Sequence, residues 1–326
     1  MPIDMSNIDL GIVGLGWWGL KLLRSFRCHP SVGRILGYDS SEAAIRNAIQ
    51  AFSDFKPAAS FEELLRSNIS GLIIATPPAT HYALCRAAIN AGVNVLVTKP
   101  PVSTKREMEE LVYLAREKDL VFMVDATYLF NPALERVISE VSDLGSPRSI
   151  RILRFGDNMR VNHLSRIRNT MFANVVDVVR DLLFHDIAVL SHLFANELRF
   201  ESAIRIRNLD DQYADSAVLF LKAGKTDVIL EYSWVYPERR REYQFFYRDR
   251  FVVFDDLSPQ EKAWSFTFED KLKTPLTYIW KEPLGNVADH FIDCFMNGRE
   301  PKTGPGFMLD LMSVMDVVNH IQEESI

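Results

Sequence analysis

One short stretch narrows the possible folds more than any other. Ile8 to Val13 reads as a buried strand, Gly14-Leu15-Gly16-Trp17-Trp18-Gly19 follows as a glycine turn, and Leu20 to Arg27 reads as a helix. In a strand–turn–helix of this kind the first glycine permits the tight turn and the second lets backbone approach a pyrophosphate. The third lets the helix pack close to the strand, whose neighbouring helix N-terminus receives the anion. A second strand, Arg34 to Tyr38, ends in Asp39, twenty residues past Gly19, and a helix follows from Ser41. A carboxylate at that place accepts both hydroxyls of an adenosine ribose and repels a 2′-phosphate, so the expected cofactor is NAD, with NADP disfavoured. The competing reading is a tight turn whose Asp39 merely caps the next helix.

The alternation continues. Strands are expected at Gly71 to Ala75, Val93 to Val97 and Val121 to Val124. Between them lie helices marked by the Ser60/Glu63 spacing, by HYALCRAAINAG closed at Gly92, and by Thr104 and Glu107. Strands and helices in strict alternation make a parallel sheet. Asn131-Pro132 is an N-cap and first-turn proline for a helix over Ala133 to Val141. From Ser149 the pattern changes: a single strongly helical segment, Asn174 to Phe194, sits among runs such as ESAIRIRN and DSAVLFLKAGKTDVILEYSW. These runs read as a largely antiparallel meander with one face buried and one wetter. Two helices, Val287 to Met296 and Phe307 to Ile321, close the chain.

Composition removes several function classes. Lys and Arg number 37 against 43 Asp and Glu, a net charge of −6, which lacks the basic footprint of a nucleic-acid binder. The three cysteines are far apart and without metal-ligand spacing, as expected of reduced thiols in the cytoplasm. His29, His163, His192, His290 and His320 have no partner at metal-ligand spacing either, so no metal is expected. No apolar run approaches the length of a membrane span, and MPIDMSNIDL has no export signal, so neither membrane nor secretion is expected. A nucleophile elbow and a P-loop lysine motif are both missing.

Two further sites carry candidate chemistry. Lys99 follows a wholly apolar strand and precedes Pro100-Pro101, which puts an ammonium at the C-terminal edge of the sheet, where it can polarise a substrate oxygen. The alternative is a surface lysine at a strand end. In DVVRDLLFHDIAVL, Asp181 and His185 are four apart and share a helical face, so the carboxylate can orient an imidazole acting as general base. The alternative is a half-buried histidine satisfied by its neighbour. Asp186 points about a quarter-turn away, and Asp177 lies one turn before Asp181. His81, which follows Thr76-Pro77-Pro78-Ala79-Thr80, is expected to line or cap a loop at the cofactor edge, and Arg239-Arg240-Arg241 to form a solvated face.

Together these residues resemble the Gfo/Idh/MocA oxidoreductases, NAD(P)-dependent enzymes acting on sugars, sugar nucleotides and cyclitols. GLGWWG with Asp39 is similar to the family's dinucleotide fingerprint, ATPPATH to its nicotinamide loop, and Thr98-Lys99-Pro100 to its EKP. TYLFNPALERV resembles its next helix entry, RDLLFHD its D-x-x-x-H signature, and EPLGNVADHFIDCFMNGREPKT its C-terminal stretch. The resemblance implies an α/β Rossmann domain over residues 1–127. An α+β domain over 128–326 would follow, with a largely antiparallel open-faced sheet used for substrate binding and for assembly as a homodimer or homotetramer.

The resemblance implies cofactor contacts from Gly14, Gly16, Trp17, Trp18, Gly19, Asp39, Thr76, Pro77, His81 and Lys99. It also implies Lys99 as catalytic lysine, His185 as base and Asp181 as its substrate-binding partner. The reaction implied is hydride transfer between nicotinamide and a secondary hydroxyl or ketone of a sugar or sugar nucleotide. HDIAVL and the spacing around FNPA resemble the UDP-N-acetyl-hexosamine branch. Two rivals are a non-catalytic NAD-binding sugar sensor and an NAD-dependent glycosidase. The chain departs from the family at Thr98, in place of Glu, at Val175 to Val179, where relatives carry glycines, and at Tyr247-Arg248-Asp249-Arg250, in place of a glycine hairpin.

Overall fold

The computed structural model describes residues 8–156, 178–194, 197–208 and 214–320. Two compact units emerge, Met1–Thr127 with Lys281–Met312, and Tyr128–Trp280 with Ser313–Ile326.

The first unit begins β1 (Ile8–Val13), α1 (Trp17–Arg27), β2 (Val32–Tyr38), α2 (Glu42–Ala51), β3 (Lys56–Pro57) and α3 (Phe61–Arg66). It continues β4 (Gly71–Ile74), α4 (His81–Asn90), β5 (Asn94–Val97), α5 (Lys105–Glu117) and β6 (Phe122–Val124). The six strands form one parallel sheet in the order β3-β2-β1-β4-β5-β6. That order reverses beside β1, which places a ligand crevice at the C-terminal ends of the strands. Leu72, Ile73 and Ile74 of β4, and Val95, Leu96 and Val97 of β5, are fully buried, as expected of strands covered on both faces. Local chemistry sets the helix starts: the Ser41 hydroxyl accepts from the Ala44 amide at 3.3 Å, and Thr104 and Glu107 close a reciprocal capping box. α1 begins at Trp17, earlier than the expected Leu20, because both tryptophans already belong to its first turn.

In the second unit, α6 (Pro132–Leu144) starts on the Asn131 cap, whose Oδ1 accepts from Ala133 at 3.0 Å. Next come β7 (Ser149–Phe155), α7 (Val178–Phe194), β8 (Leu198–Ile206), β9 (Ser216–Ala223), β10 (Thr226–Ser233) and β11 (Arg240–Phe246). β12 (Arg250–Asp255), β13 (Ala263–Thr267) and β14 (Leu272–Pro275) complete an eight-stranded sheet in the order β14-β13-β12-β11-β7-β10-β9-β8. Neighbouring strands are antiparallel except β7 and β10, which run parallel from Ser149 opposite Asp227 to Phe155 opposite Ser233. The period-2 alternation sorts the two faces. Ile204, Ile206 and Phe220 stand exposed on one, with the Arg151–Glu231 ion pair, while Ile152, Arg154, Leu230, Tyr232 and Tyr243 are buried on the other. The Val175 to Val179 segment lies partly outside the described residues, and Asp177 entirely so.

Lys281–Met312 packs with the first unit, whereas the chain pattern put all of 128–326 into one domain. The segment contains α8 (Pro283–Asn297) and the first half of α9 (Pro305–His320). α8 carries an apolar stripe of Leu284, Val287, Ala288, Phe291 and Ile292, and its Phe291 ring meets Phe26 of α1 edge-on at 6.1 Å. Beyond α8, Thr303 pairs with the end of β6: its carbonyl accepts from the Val124 amide at 3.1 Å and its hydroxyl donates to the Val124 carbonyl at 2.7 Å. The stripe is legible in sequence, but the surface it covers is a tertiary matter. Among the described residues, no helix is long and apolar enough to cross a membrane.

Candidate active site

The turn after β1 is built on contacts that exclude side chains. Gly14 sits at φ +91°, and a Cβ there would meet the Ala75 carbonyl oxygen at 2.5 Å. A Cβ on Gly19 would lie 2.0 Å from the Gly14 carbonyl oxygen, so α1 can only rest on the turn with glycine there. Gly16, the N-cap of α1, has open space where its Cβ would point. That leaves bare backbone and helix N-terminus facing the crevice, the cradle a pyrophosphate requires.

Asp39 accepts from two backbone amides. Its Oδ2 accepts from the Leu15 amide of the glycine turn at 2.7 Å, and its Oδ1 accepts from the Ser41 amide at 2.8 Å, at the start of α2. A carboxylate offers about four acceptor positions, so two stay available for ribose hydroxyls. The residues present thus fit a dinucleotide at both its pyrophosphate and its adenosine ribose.

At the ends of β4, β5 and β6, four residues converge within the first unit. Thr98 is buried, its amide bonded to the Ile74 carbonyl at 2.9 Å, and the half-buried Lys99 follows with a cis bond to Pro100. His81 is fully buried, with Nδ1 at 2.8 Å from the Pro100 carbonyl and Nε2 at 2.8 Å from the Thr76 carbonyl. Burial lowers its pKa, against the opposing pull of the two carbonyls. With both ring nitrogens occupied by backbone, His81 has no polar atom left for a cofactor. It braces the Thr76-Pro77 loop against the lysine loop, as expected of a residue that caps a loop at the cofactor edge. Asp125, just past β6, accepts from the Trp18 indole at 2.9 Å and the Thr127 hydroxyl at 2.6 Å. Burial pushes the Asp125 carboxyl above its ordinary pKa, and the Lys99 charge works in the other direction. Trp17, by contrast, is 72% exposed, with the Lys21 ammonium 3.9 Å from its ring centroid.

The second unit holds Asp181 and His185, both half-buried and one turn apart on α7. The His185 ring contacts Tyr128, with centroids 5.2 Å apart, and meets Phe184 edge-on at 6.0 Å. Asp186 is completely buried and accepts from Arg154 Nε at 2.7 and 2.8 Å and from the Tyr232 hydroxyl at 2.7 Å; the Tyr243 hydroxyl donates to it as well. Arg154 Nη2 also donates to the Tyr243 oxygen at 2.6 Å. Burial, reinforced by the Asp186 charge, drives both tyrosine pKa values far up, so these hydroxyls stay protonated.

Residues 8–126 match the model of an oxidoreductase family with an NAD-binding Rossmann fold, Gfo/Idh/MocA. The N-terminal domain is a Gfo/Idh/MocA domain. Across 255 residues, 78% of this chain and 76% of the relative, the sequence is 24% identical to UDP-N-acetylglucosamine 3-dehydrogenase of Acidithiobacillus ferrooxidans. The solved structure of the Acidithiobacillus ferrooxidans enzyme GnnA superposes with a TM-score of 0.83 at 20% identity, over 96% of this chain and 97% of that one. KijD10, a 3-ketoreductase from Actinomadura kijaniata solved with NADP and TDP-benzene, superposes with a TM-score of 0.82 at 16% identity, over 97% and 98%. At these identities the structural likeness concerns the fold alone.

Within that fold, the expected cofactor residues and Lys99 all lie in the first unit, and Asp181 and His185 in the second. Asp125, Tyr128 and Arg154 escaped the sequence reading. Each takes its meaning from a partner far away in the chain, Trp18, His185 and Asp186 respectively, and no local motif marks them.

Proposed function

We propose that this protein is an NAD-dependent oxidoreductase that transfers hydride between nicotinamide and a secondary hydroxyl or ketone of a sugar or sugar nucleotide. The observation that carries the reading is the glycine turn bonded through Leu15 to Asp39, on a six-stranded parallel sheet whose β5 delivers Lys99 at its C-terminal end. Bound NAD supplies the hydride acceptor. The chain supplies the rest: Gly14, Gly16 and Gly19 admit the pyrophosphate, Asp39 selects the unphosphorylated ribose, and Trp17, Trp18, Thr76 and Pro77 border the cofactor. His185 takes the hydroxyl proton, Lys99 stabilises the oxygen as charge develops on it, and Asp181 holds substrate and orients the imidazole.

A relative named as a UDP-N-acetylglucosamine 3-dehydrogenase and a 3-ketoreductase solved with TDP-benzene support a nucleotide-linked sugar as the substrate class. Lys99→Ala and His185→Ala each lower turnover on an established substrate by at least about a hundredfold. Near-wild-type turnover in both variants would defeat the assignment.

A further inference from the structure

A buried ion pair sits one residue from the candidate base, and the catalytic roles above make no use of it. Arg154 and Asp186 are 5% and 0% exposed. A pair so enclosed is poor support for stability, because apolar residues of similar volume can often replace it without loss. Its placement points to another use. The Arg154 guanidinium lies over the Tyr128 ring, 4.4 Å from its centroid, and that ring touches the His185 imidazole at an interplanar angle of 50°. The Tyr128 hydroxyl donates to Asp256 at 3.3 Å, so the ring is held at its face and at its tip.

We propose that Tyr128 is a positioning residue for His185, its ring seated by the Arg154–Asp186 pair so that the imidazole keeps one orientation. The proposal rests on the reading of His185 as base. A cation over an aromatic face fixes the ring, while the Asp186 carboxylate neutralises that cation, so the imidazole is oriented without facing a net positive charge. Among the described residues, the charged and titratable groups of this cluster are Asp181 and Asp186 on α7, Arg154 on β7, Tyr232 on β10, Tyr243 on β11, Tyr128 itself and, at the Tyr128 hydroxyl, Asp256. Tyr232 and Tyr243 are bound to Asp186, and the Tyr128 ring lies against both Arg154 and His185. A base must hold its angle to within about 10–20° to work, which one free side-chain torsion would forfeit.

The test compares Tyr128→Phe, which keeps the ring, with Tyr128→Leu, which deletes it, in the full chain. Tyr128→Met repeats the deletion with a flexible side chain should the leucine variant fail to fold. Two readouts are taken: the imidazole proton resonances of His185, assigned by their loss in His185→Asn, and kcat and KM on the working substrate. The phenylalanine variant keeps the resonances and stays within about twofold in kcat, while ring deletion moves the resonances and lowers kcat about tenfold to a hundredfold with KM within about threefold. Unmoved resonances and unchanged kcat after ring deletion would overturn the proposal, as would an equal loss in the phenylalanine variant. The resonances report the ring contact without turnover. Full activity in His185→Asn would therefore count against His185 as base, while a resonance shift on ring deletion would still uphold the seating of the imidazole.

Discussion

The indole N–H of Trp18 donates to the Asp125 carboxylate at 2.9 Å, joining the first turn of α1 to the end of β6. The same carboxylate accepts from Thr127. A glycine turn already bonded to Tyr38 and Asp39 at the end of β2 is thereby tied to the far side of the crevice as well.

Burial raises the Asp125 pKa, which gives a pH dependence of fixed sign. A carboxyl with a raised folded-state pKa contributes stability that is complete below its unfolded value near 3.8 and is lost as pH rises through the folded value. Asp125→Asn removes this titration and one of the two acceptor oxygens. In thermal denaturation from acid to neutral pH, the stability advantage of wild type over the variant narrows as pH rises. A gap that widens with pH would contradict the burial of this group.

Gly19→Ala puts a methyl 2.0 Å from the Gly14 carbonyl oxygen, an overlap with backbone that only a displacement of α1 can relieve. Strain of this kind costs about 1–3 kcal/mol. NAD affinity, followed by quenching of tryptophan fluorescence, falls at least about tenfold, since the displaced turn is the pyrophosphate cradle. Gly16→Ala meets no protein atom and therefore affects binding without lowering the melting temperature.

Asp39→Ser removes the acceptor at the adenosine ribose and the charge that repels a 2′-phosphate. Charged hydrogen bonds of this type are worth about 1.5–3 kcal/mol, so NAD binding weakens about tenfold to a hundredfold and the preference for NAD over NADP shrinks or inverts. Paired titrations with the two dinucleotides decide this, and an undiminished preference for NAD would mean that Asp39 serves only as the Leu15 and Ser41 acceptor.

His81→Ala deletes the bridge between the Thr76 and Pro100 carbonyls and leaves both buried. The cost is about 2–4 kcal/mol from the cavity and the one hydrogen bond that a neutral imidazole can donate. Because burial depresses the His81 pKa, its stabilisation is present above the unfolded value of 6.5 and is lost as pH falls through the folded value. The difference in melting temperature between wild type and variant is therefore largest at neutral to mildly alkaline pH and shrinks on acidification.

Much of the first unit is written locally. β1 runs from Ile8 to Val13 as the apolar run indicates, the Thr104/Glu107 spacing makes the capping box, and Asp39 directly follows β2 as the strand pattern indicates. What stayed hidden depends on partners distant in sequence. The parallel pairing of β7 with β10 joins strands more than seventy residues apart, and nothing in either run distinguishes it from the surrounding antiparallel meander. Arg154 and Asp186 are 32 residues apart, and no local motif pairs them. The α8 stripe announces a buried face without naming what it buries. His81 was legible as a loop residue, but its commitment to two carbonyls follows from how the loops after β4 and β5 come together.

The most direct measurement mixes the purified protein with NAD, and separately with NADH, against free hexoses, inositols, UDP-linked N-acetyl sugars and their keto forms, recording reduced-nicotinamide absorbance. The expected result is a substrate-dependent change with a sugar or sugar nucleotide that is lost in Lys99→Ala and in His185→Ala. Demonstrable NAD binding with no change in either direction across both sugar classes would contradict hydride transfer to a sugar carbon.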